Sequence, residues 1–252
     1  MINRYTTLLI ILASTLSFTS CSTSDNQNEA TIATASPVEV SGAMRNVMWK
    51  GELHGTIALD TIANKEHLYG LGPVENLAGE LLIMDGKIFK STVVSDATMK
   101  VDEVQQAKAP FFVYGNVPAW QEQALPDSIQ SIKQLETYLD QVSKNSQRPF
   151  AFRLKGEVEN ATIHVLNLPA GTQVSSPDEA HQGLQNYNLV NEQVEIVGFF
   201  STEHKAVFTH HDTYLHMHLV TADETQMGHL DKVKLKSRAV KLYLPASNVH
   251  AE

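Results

Sequence analysis

One cysteine, Cys21, stands in 252 residues. The chain therefore closes no disulfide within itself and builds no Cys-rich structural zinc site. Charge is sparse, at 19% of residues, and 19 Lys and Arg face 28 Asp and Glu for a formal net charge of −9. No basic cluster interrupts that balance, which argues against nucleic acid as a partner. Long apolar runs are missing as well. The run from Leu8 to Phe18 is too short to cross a bilayer comfortably as a helix. No internal repeat is visible. What remains is an ordinary globular composition, 42% hydrophobic, in a chain long enough for one large domain or two small ones.

The N-terminus carries an address. Arg4 supplies a short basic region, Leu8 to Phe18 an apolar one, and Ser20 precedes Cys21. This arrangement resembles a bacterial lipoprotein signal, with Phe18 where the pattern usually has an aliphatic residue. The resemblance implies removal of 1–20, lipidation of Cys21, and an exported lipoprotein anchored to a membrane, facing the periplasm or held at the outer membrane. Residues 21–46, rich in Ser, Thr, Asn, Ala and Gln up to Ser41, read as a flexible tether.

Folded sequence is expected from Val47, with a first subdomain over 47–160 and a β-rich second one over 161–252. Gly51 to Leu59 is patterned as a strand. Leu81 to Met84, Asp85-Gly86 and the residues after it predict a strand, a tight turn and a returning strand. Pro110 to Val117 reads as another strand. Ile129, Ile132, Leu135, Leu139 and Val142 form one apolar stripe, which predicts a helix over 126–145 capped by Asp127 or Ser128. Strands follow at 150–158 and 161–168 around a turn at Glu159-Asn160. A polar loop over 169–188 comes next, then strands at 194–200, 214–220, 229–236 and 240–244. The class is α+β, strand-rich, with mixed and antiparallel sheets and few helices.

Eleven histidines are present, and three of them fall in a telling pattern. His216 and His218 sit two apart in a strand, so both imidazoles leave one face. A hairpin centred on Asp223-Glu224 places His229 directly opposite His218, with Cβ atoms roughly 5 Å apart. Gly228 leaves room for a neighbour to approach. The same register puts Asp231 opposite His216, as a carboxylate that holds an imidazole in its ligating tautomer. Three imidazoles and an open fourth position suit a catalytic Zn²⁺. His210 and His211 could face the site. His54, His67, His181, His204 and His250 read as surface residues, and Trp49 and Trp120 as packing residues.

With those residues in place, the chain resembles bacterial acetolactate decarboxylase. The likeness lies in Val197-Gly198-Phe199, His216-x-His218 and Met227-Gly228-His229-Leu230-Asp231. It is supported by Tyr69-Gly70-Leu71-Gly72, Gly79-Glu80-Leu81 with Asp85-Gly86, and Phe152-Arg153-Leu154-Lys155-Gly156. It implies a two-domain α+β fold with zinc held by His216, His218 and His229. It implies decarboxylation of 2-acetolactate, or another small 2-hydroxy-3-oxo acid, to acetoin and CO₂. Glu80 matches the family's active-site glutamate and is the candidate for proton transfer. A homodimer is also implied.

The departures are specific. His164 stands where the family has an arginine, and is a second catalytic candidate. Pro73 stands where the family has a threonine, and the family's later glutamate on a C-terminal tail finds no match before Glu252. A second reading therefore stays open: an exported zinc- or ligand-binding protein of the same fold without lyase activity. Other three-histidine zinc chemistry, hydration or hydrolysis, is a third.

Overall fold

The computed structural model describes residue 35 and residues 37–246. The expected signal peptide, Cys21 and His250 lie outside the described residues. In chain order the elements are β1 (Glu39–Gly42), α1 (Met44–Lys50), β2 (Ile57–Ala58), β3 (Leu68–Pro73), β4 (Glu80–Met84), β5 (Lys87–Val93), β6 (Met99–Val104), β7 (Lys108–Ala109), β8 (Phe111–Asn116), β9 (Trp120–Ala124), α2 (Ile132–Val142), β10 (Phe150–Val165), α3 (Pro177–Ala180), β11 (Gln185–Phe200), β12 (Leu215–Thr221) and β13 (Met227–Pro245). The fold is α+β and strand-rich, and all pairings between these strands are antiparallel.

Two sheets carry the architecture. The first has the order β1-β8-β3-β4-β5-β6. Its β4–β5 hairpin turns at Asp85 and Gly86, both at positive φ (47° and 84°), as an Asp-Gly pair between strands prefers. The second has the order β10-β11-β12-β13-β9, and β10 also pairs with β13. The pairings β10–β11–β12–β13–β10 thus close on themselves, which leaves β10 to β13 with few free edges. β12 is buried along its whole length. Between the sheets, Leu71, Leu82, Phe89 and Val113 of the first pack with Val197, Phe199, Val220 and Met227 of the second. Each such side chain contributes roughly 1.5–3 kcal/mol when fully buried.

A second link between the sheets is polar. The Arg153 guanidinium lies 5.4, 5.3 and 5.6 Å from the ring centres of Tyr69, Trp120 and Tyr243. It also pairs with Glu195. Trp120 is thus a packing residue, as expected.

Several expectations need correction. The tether does not reach residue 46, because Glu39–Gly42 already pairs with β8 and Met44, Val47 and Met48 of α1 are buried. Glu159-Asn160 is no turn. β10 runs through it, across the expected 160/161 boundary, and the irregularity appears as register shifts against β13. The strands expected at 229–236 and 240–244 are likewise one, β13, and β11 begins nine residues ahead of its expected start at 194. The helix starts at Ile132, not at 126. Ser131 caps it in a box with Gln134, which satisfies two end groups at once and overrides Asp127 and Ser128. Gly51 to Leu59 contains only the two-residue strand β2. The described residues form one compact unit.

Candidate metal centre

The site begins as one row across the closed sheet. His164 of β10 is paired with His229 of β13, and His229 with His218 of β12. The structure thus pairs His218 with His229, as a hairpin symmetric about Asp223-Glu224 requires. His216 leaves β12 on the same face. The ring centres of His216, His218 and His229 are 5.0 to 5.5 Å apart, and one ligating atom from each lies within 4.8 Å of the others. Gly228 makes the close approach: a Cβ there would sit 2.4 Å from the carbonyl oxygen of His164.

All three rings are buried. Loss of water penalises their charged forms, so His216 and His229 are held well below the ordinary histidine value and His218 is pushed down to about 3. They are neutral at physiological pH, which is the ligating form. Nδ1 of His216 and both ring nitrogens of His218 have no hydrogen-bond partner among the described residues. A buried polar atom without a partner costs free energy. Unpartnered neutral imidazoles converging on one point fit a borderline-soft divalent cation such as zinc, and the described residues include no cysteine.

Glu80 enters from the other sheet. It opens β4 opposite Pro73 and is buried. Its Oε2 lies 3.6 Å from Nε2 of His218, and its Oε1 lies 3.9 Å from Nε2 of His164. The Leu166 amide donates to Oε1 at 3.3 Å. Burial raises the Glu80 carboxyl well above its usual range, and Asp231 adds to the rise against the opposing Leu166 amide.

Asp231 is not the partner of His216. The β12–β13 ladder stops at His218 and His229. In the β10–β13 ladder, Thr162 pairs with Lys232 and Ile163 with Leu230, so Asp231 is the extra residue of a bulge. Bulges re-aim side chains. Both carboxylate oxygens of Asp231 reach Nδ1 of His164, at 2.8 and 2.9 Å. The imidazole held by Asp231 is therefore that of His164, with Nε2 left on the Glu80 side.

A cleft of about 100 Å³ adjoins the centre. Six histidines line it, His164, His181, His210, His211, His216 and His229, and Met44, Met48, Trp49 and Phe111 form apolar wall. No Lys or Arg is among its lining residues. His181 is half-buried here rather than at the surface, with its ring centre 6.1 Å from that of His164. The His210 ring lies tilted against that of His229, with centres 4.8 Å apart. Desolvation lowers the pKa of both His181 and His210. Sequence reasoning missed His181 because it sits at the end of the four-residue α3, inside a stretch with no periodic signal. His54 and His67 stay apart from the centre, and Trp49 is 45% exposed at the cleft instead of packed.

A model of the family described as "Alpha-acetolactate decarboxylase" matches residues 42–251. The chain belongs to that family. Its fold is that of alpha-acetolactate decarboxylase from Bacillus subtilis strain 168, at TM-score 0.68 and 18% identity over 84% of this chain and 86% of that one. The enzyme from Bacillus subtilis subspecies spizizenii gives TM-score 0.68 and 18% identity over 84% and 87%. A Staphylococcus aureus protein of unknown function, similar to alpha-acetolactate decarboxylase, gives TM-score 0.68 and 17% identity over 84% and 86%. Comparison with curated proteins gives no match. Family and fold together support a decarboxylase-like activity on a small molecule.

Proposed function

We propose that the chain is a zinc-dependent decarboxylase of a small 2-hydroxy-3-oxo acid, with 2-acetolactate as the first substrate to test and acetoin and CO₂ as products. The observation that carries this reading is the buried carboxyl of Glu80 within 4 Å of two imidazoles, beside three unprotonated histidines that converge on one point.

His216, His218 and His229 would hold the zinc, and the bound metal supplies Lewis acidity toward the oxygens of the keto acid. The bond between C2 and the carboxylate breaks, CO₂ leaves, and the electron pair passes to the neighbouring carbonyl. One proton must then be delivered to carbon. Glu80 is suited to that step because burial raises its carboxyl well above the ordinary value, which favours the form that carries a proton. His164, fixed by Asp231 through Nδ1, offers Nε2 on the side where the family has an arginine. An imidazole N–H makes one hydrogen bond where a guanidinium fork makes two, so its grip on a carboxylate is weaker. Met44, Met48 and Phe111 give the cleft an apolar side next to its histidines.

Release of labelled CO₂ from carboxyl-labelled 2-acetolactate tests the assignment. The reading requires that release depend on both zinc and Glu80. Equal release by Glu80→Gln protein refutes the role of Glu80. Stoichiometric zinc with no turnover favours the second reading, a zinc- or ligand-binding protein of the same fold, for which the missing arginine speaks. We further propose, from the N-terminal sequence alone, that Cys21 carries a lipid anchor on an exported protein. Metabolic labelling with a palmitate analogue, lost in Cys21→Ser, checks it.

A further inference from the structure

Ser91 carries the one fully buried side-chain oxygen among the described residues that has no hydrogen-bond partner. It lies in β5 between Phe89 and Val93, and both of these pack against the core of the second sheet. An apolar residue would complete that row. A buried hydroxyl with nothing to bond costs free energy instead, so its place between the sheets calls for a partner.

The strand register points to one. Side chains directly opposite on antiparallel strands share a face, with Cβ atoms roughly 4.5–5.5 Å apart. Ser91 is opposite Val101 on β6 and opposite Glu80 on β4. Val101 is apolar, so Glu80 is the cross-strand neighbour with a polar side chain. Gly79 secures this register: a Cβ there would meet the carbonyl oxygen of Ser91 at 2.2 Å. On its other side Glu80 faces Pro73, which has no donor to offer. The Leu166 amide donates to Oε1 of Glu80, while Oε2 lies 3.6 Å from Nε2 of His218, beyond hydrogen-bond length. After Glu80 has passed a proton to carbon it is a buried anion, and a buried charge is costly unless several donors hold it.

We propose that Ser91 is the positioning residue of Glu80: in the zinc-loaded protein its hydroxyl hydrogen-bonds the Glu80 carboxyl and holds it in place for proton transfer. A hydroxyl both donates and accepts, so it serves the carboxyl before the proton leaves and the carboxylate afterwards. One turn about χ1 redirects it, and no other hydrogen bond is lost, because Oγ has none. This rests on the proton-delivery role proposed for Glu80 above.

The test uses the full zinc-loaded chain as wild type, Ser91→Ala and Ser91→Thr, with zinc content and circular dichroism checked in each. The first readout is the infrared absorption of the Glu80 carboxyl, isolated as the difference between each protein and its Glu80→Gln counterpart. That band is expected to move in Ser91→Ala, which removes a single oxygen, and to stay near its wild-type position in Ser91→Thr, which keeps the hydroxyl. The second is turnover of 2-acetolactate. Ser91→Ala is expected to lower kcat by about 10–100-fold, the scale of a hydrogen bond to a charged group, with KM and zinc content unchanged, and Ser91→Thr to restore it. If the extra methyl keeps Ser91→Thr from folding, Ser91→Cys, a weak donor, takes its place and should fall between Ala and wild type. A band that does not move in Ser91→Ala overturns the pairing. A kcat unchanged in Ser91→Ala, or lowered equally in Ser91→Ala and Ser91→Thr, overturns the positioning role. Should the zinc-loaded wild type form no acetoin above the spontaneous rate, the decarboxylase reading falls, and the infrared band alone decides whether Ser91 holds Glu80.

Discussion

Replacing Glu80 with Gln separates its proposed chemistry from its cost to the fold. The side chain is 2% exposed, and Gln has nearly its shape. In the metal-free protein the carboxyl is held well above 4.5, its ordinary value, chiefly by burial. The folded state then binds a proton that the unfolded state has released, so stability falls as pH rises. The loss begins near pH 4.5 and ends at the raised folded pKa, and every pH unit between those two values costs about 1.4 kcal/mol. Gln carries no such proton. Metal-free Glu80→Gln should therefore be more stable than wild type at pH 8, with the gap shrinking toward pH 5. A difference independent of pH in urea unfolding would refute the idea that burial raises this group. Catalysis should move the other way. A general acid contributes about 10²–10⁴-fold, so kcat should drop by that factor, roughly 3–5 kcal/mol of barrier, with zinc content unchanged.

Other perturbations follow from the same geometry. Protons should compete with zinc only well below pH 6.5, because His218 titrates at about 3 and His216 and His229 are depressed too. A zinc-release titration with a colorimetric chelator checks this, and release centred near 6.5 contradicts it. Asp231→Asn frees His164 from its carboxylate and should lower kcat/KM by about 10–100-fold, with the fold intact by circular dichroism. Gly228→Ala forces a Cβ toward the His164 carbonyl at 2.4 Å. It should cost about 1–3 kcal/mol in urea unfolding and weaken zinc binding. Arg153→Ala leaves Glu195 largely buried without its ion-pair partner and should destabilise by about 3 kcal/mol, with zinc stoichiometry retained.

The parts of the site legible in sequence are those set by local geometry. Side chains two apart on a strand share a face, and an even hairpin fixes the partner of His218, so the triad could be read from residues 216–229 alone. The β4–β5 turn was equally local, since Asp85-Gly86 supplies the two positive φ angles itself. Asp231 was not legible in the same way. Its partner His164 is 67 residues away in sequence, and the bulge that redirects it exists only because β10 pairs with β13. The break expected at Glu159-Asn160 failed for a related reason. Polar turn-forming residues are tolerated inside a long strand when a neighbouring strand absorbs the irregularity as a bulge. His181 and His210 sit in segments without periodicity, and only the packing of α1, α3 and the β11–β12 loop around one cleft brings them to the centre.

Zinc-dependent decarboxylation is tested most directly by stripping and reloading the metal in the protein from residue 21 onward. Acetoin formed from racemic 2-acetolactate is measured above the spontaneous rate, first as loaded with zinc, then after chelation, then after zinc is returned. The expected result is an accelerated rate that vanishes on stripping and returns with about one zinc per chain. A rate no faster than spontaneous in the fully loaded protein, or one indifferent to the chelator, would contradict it.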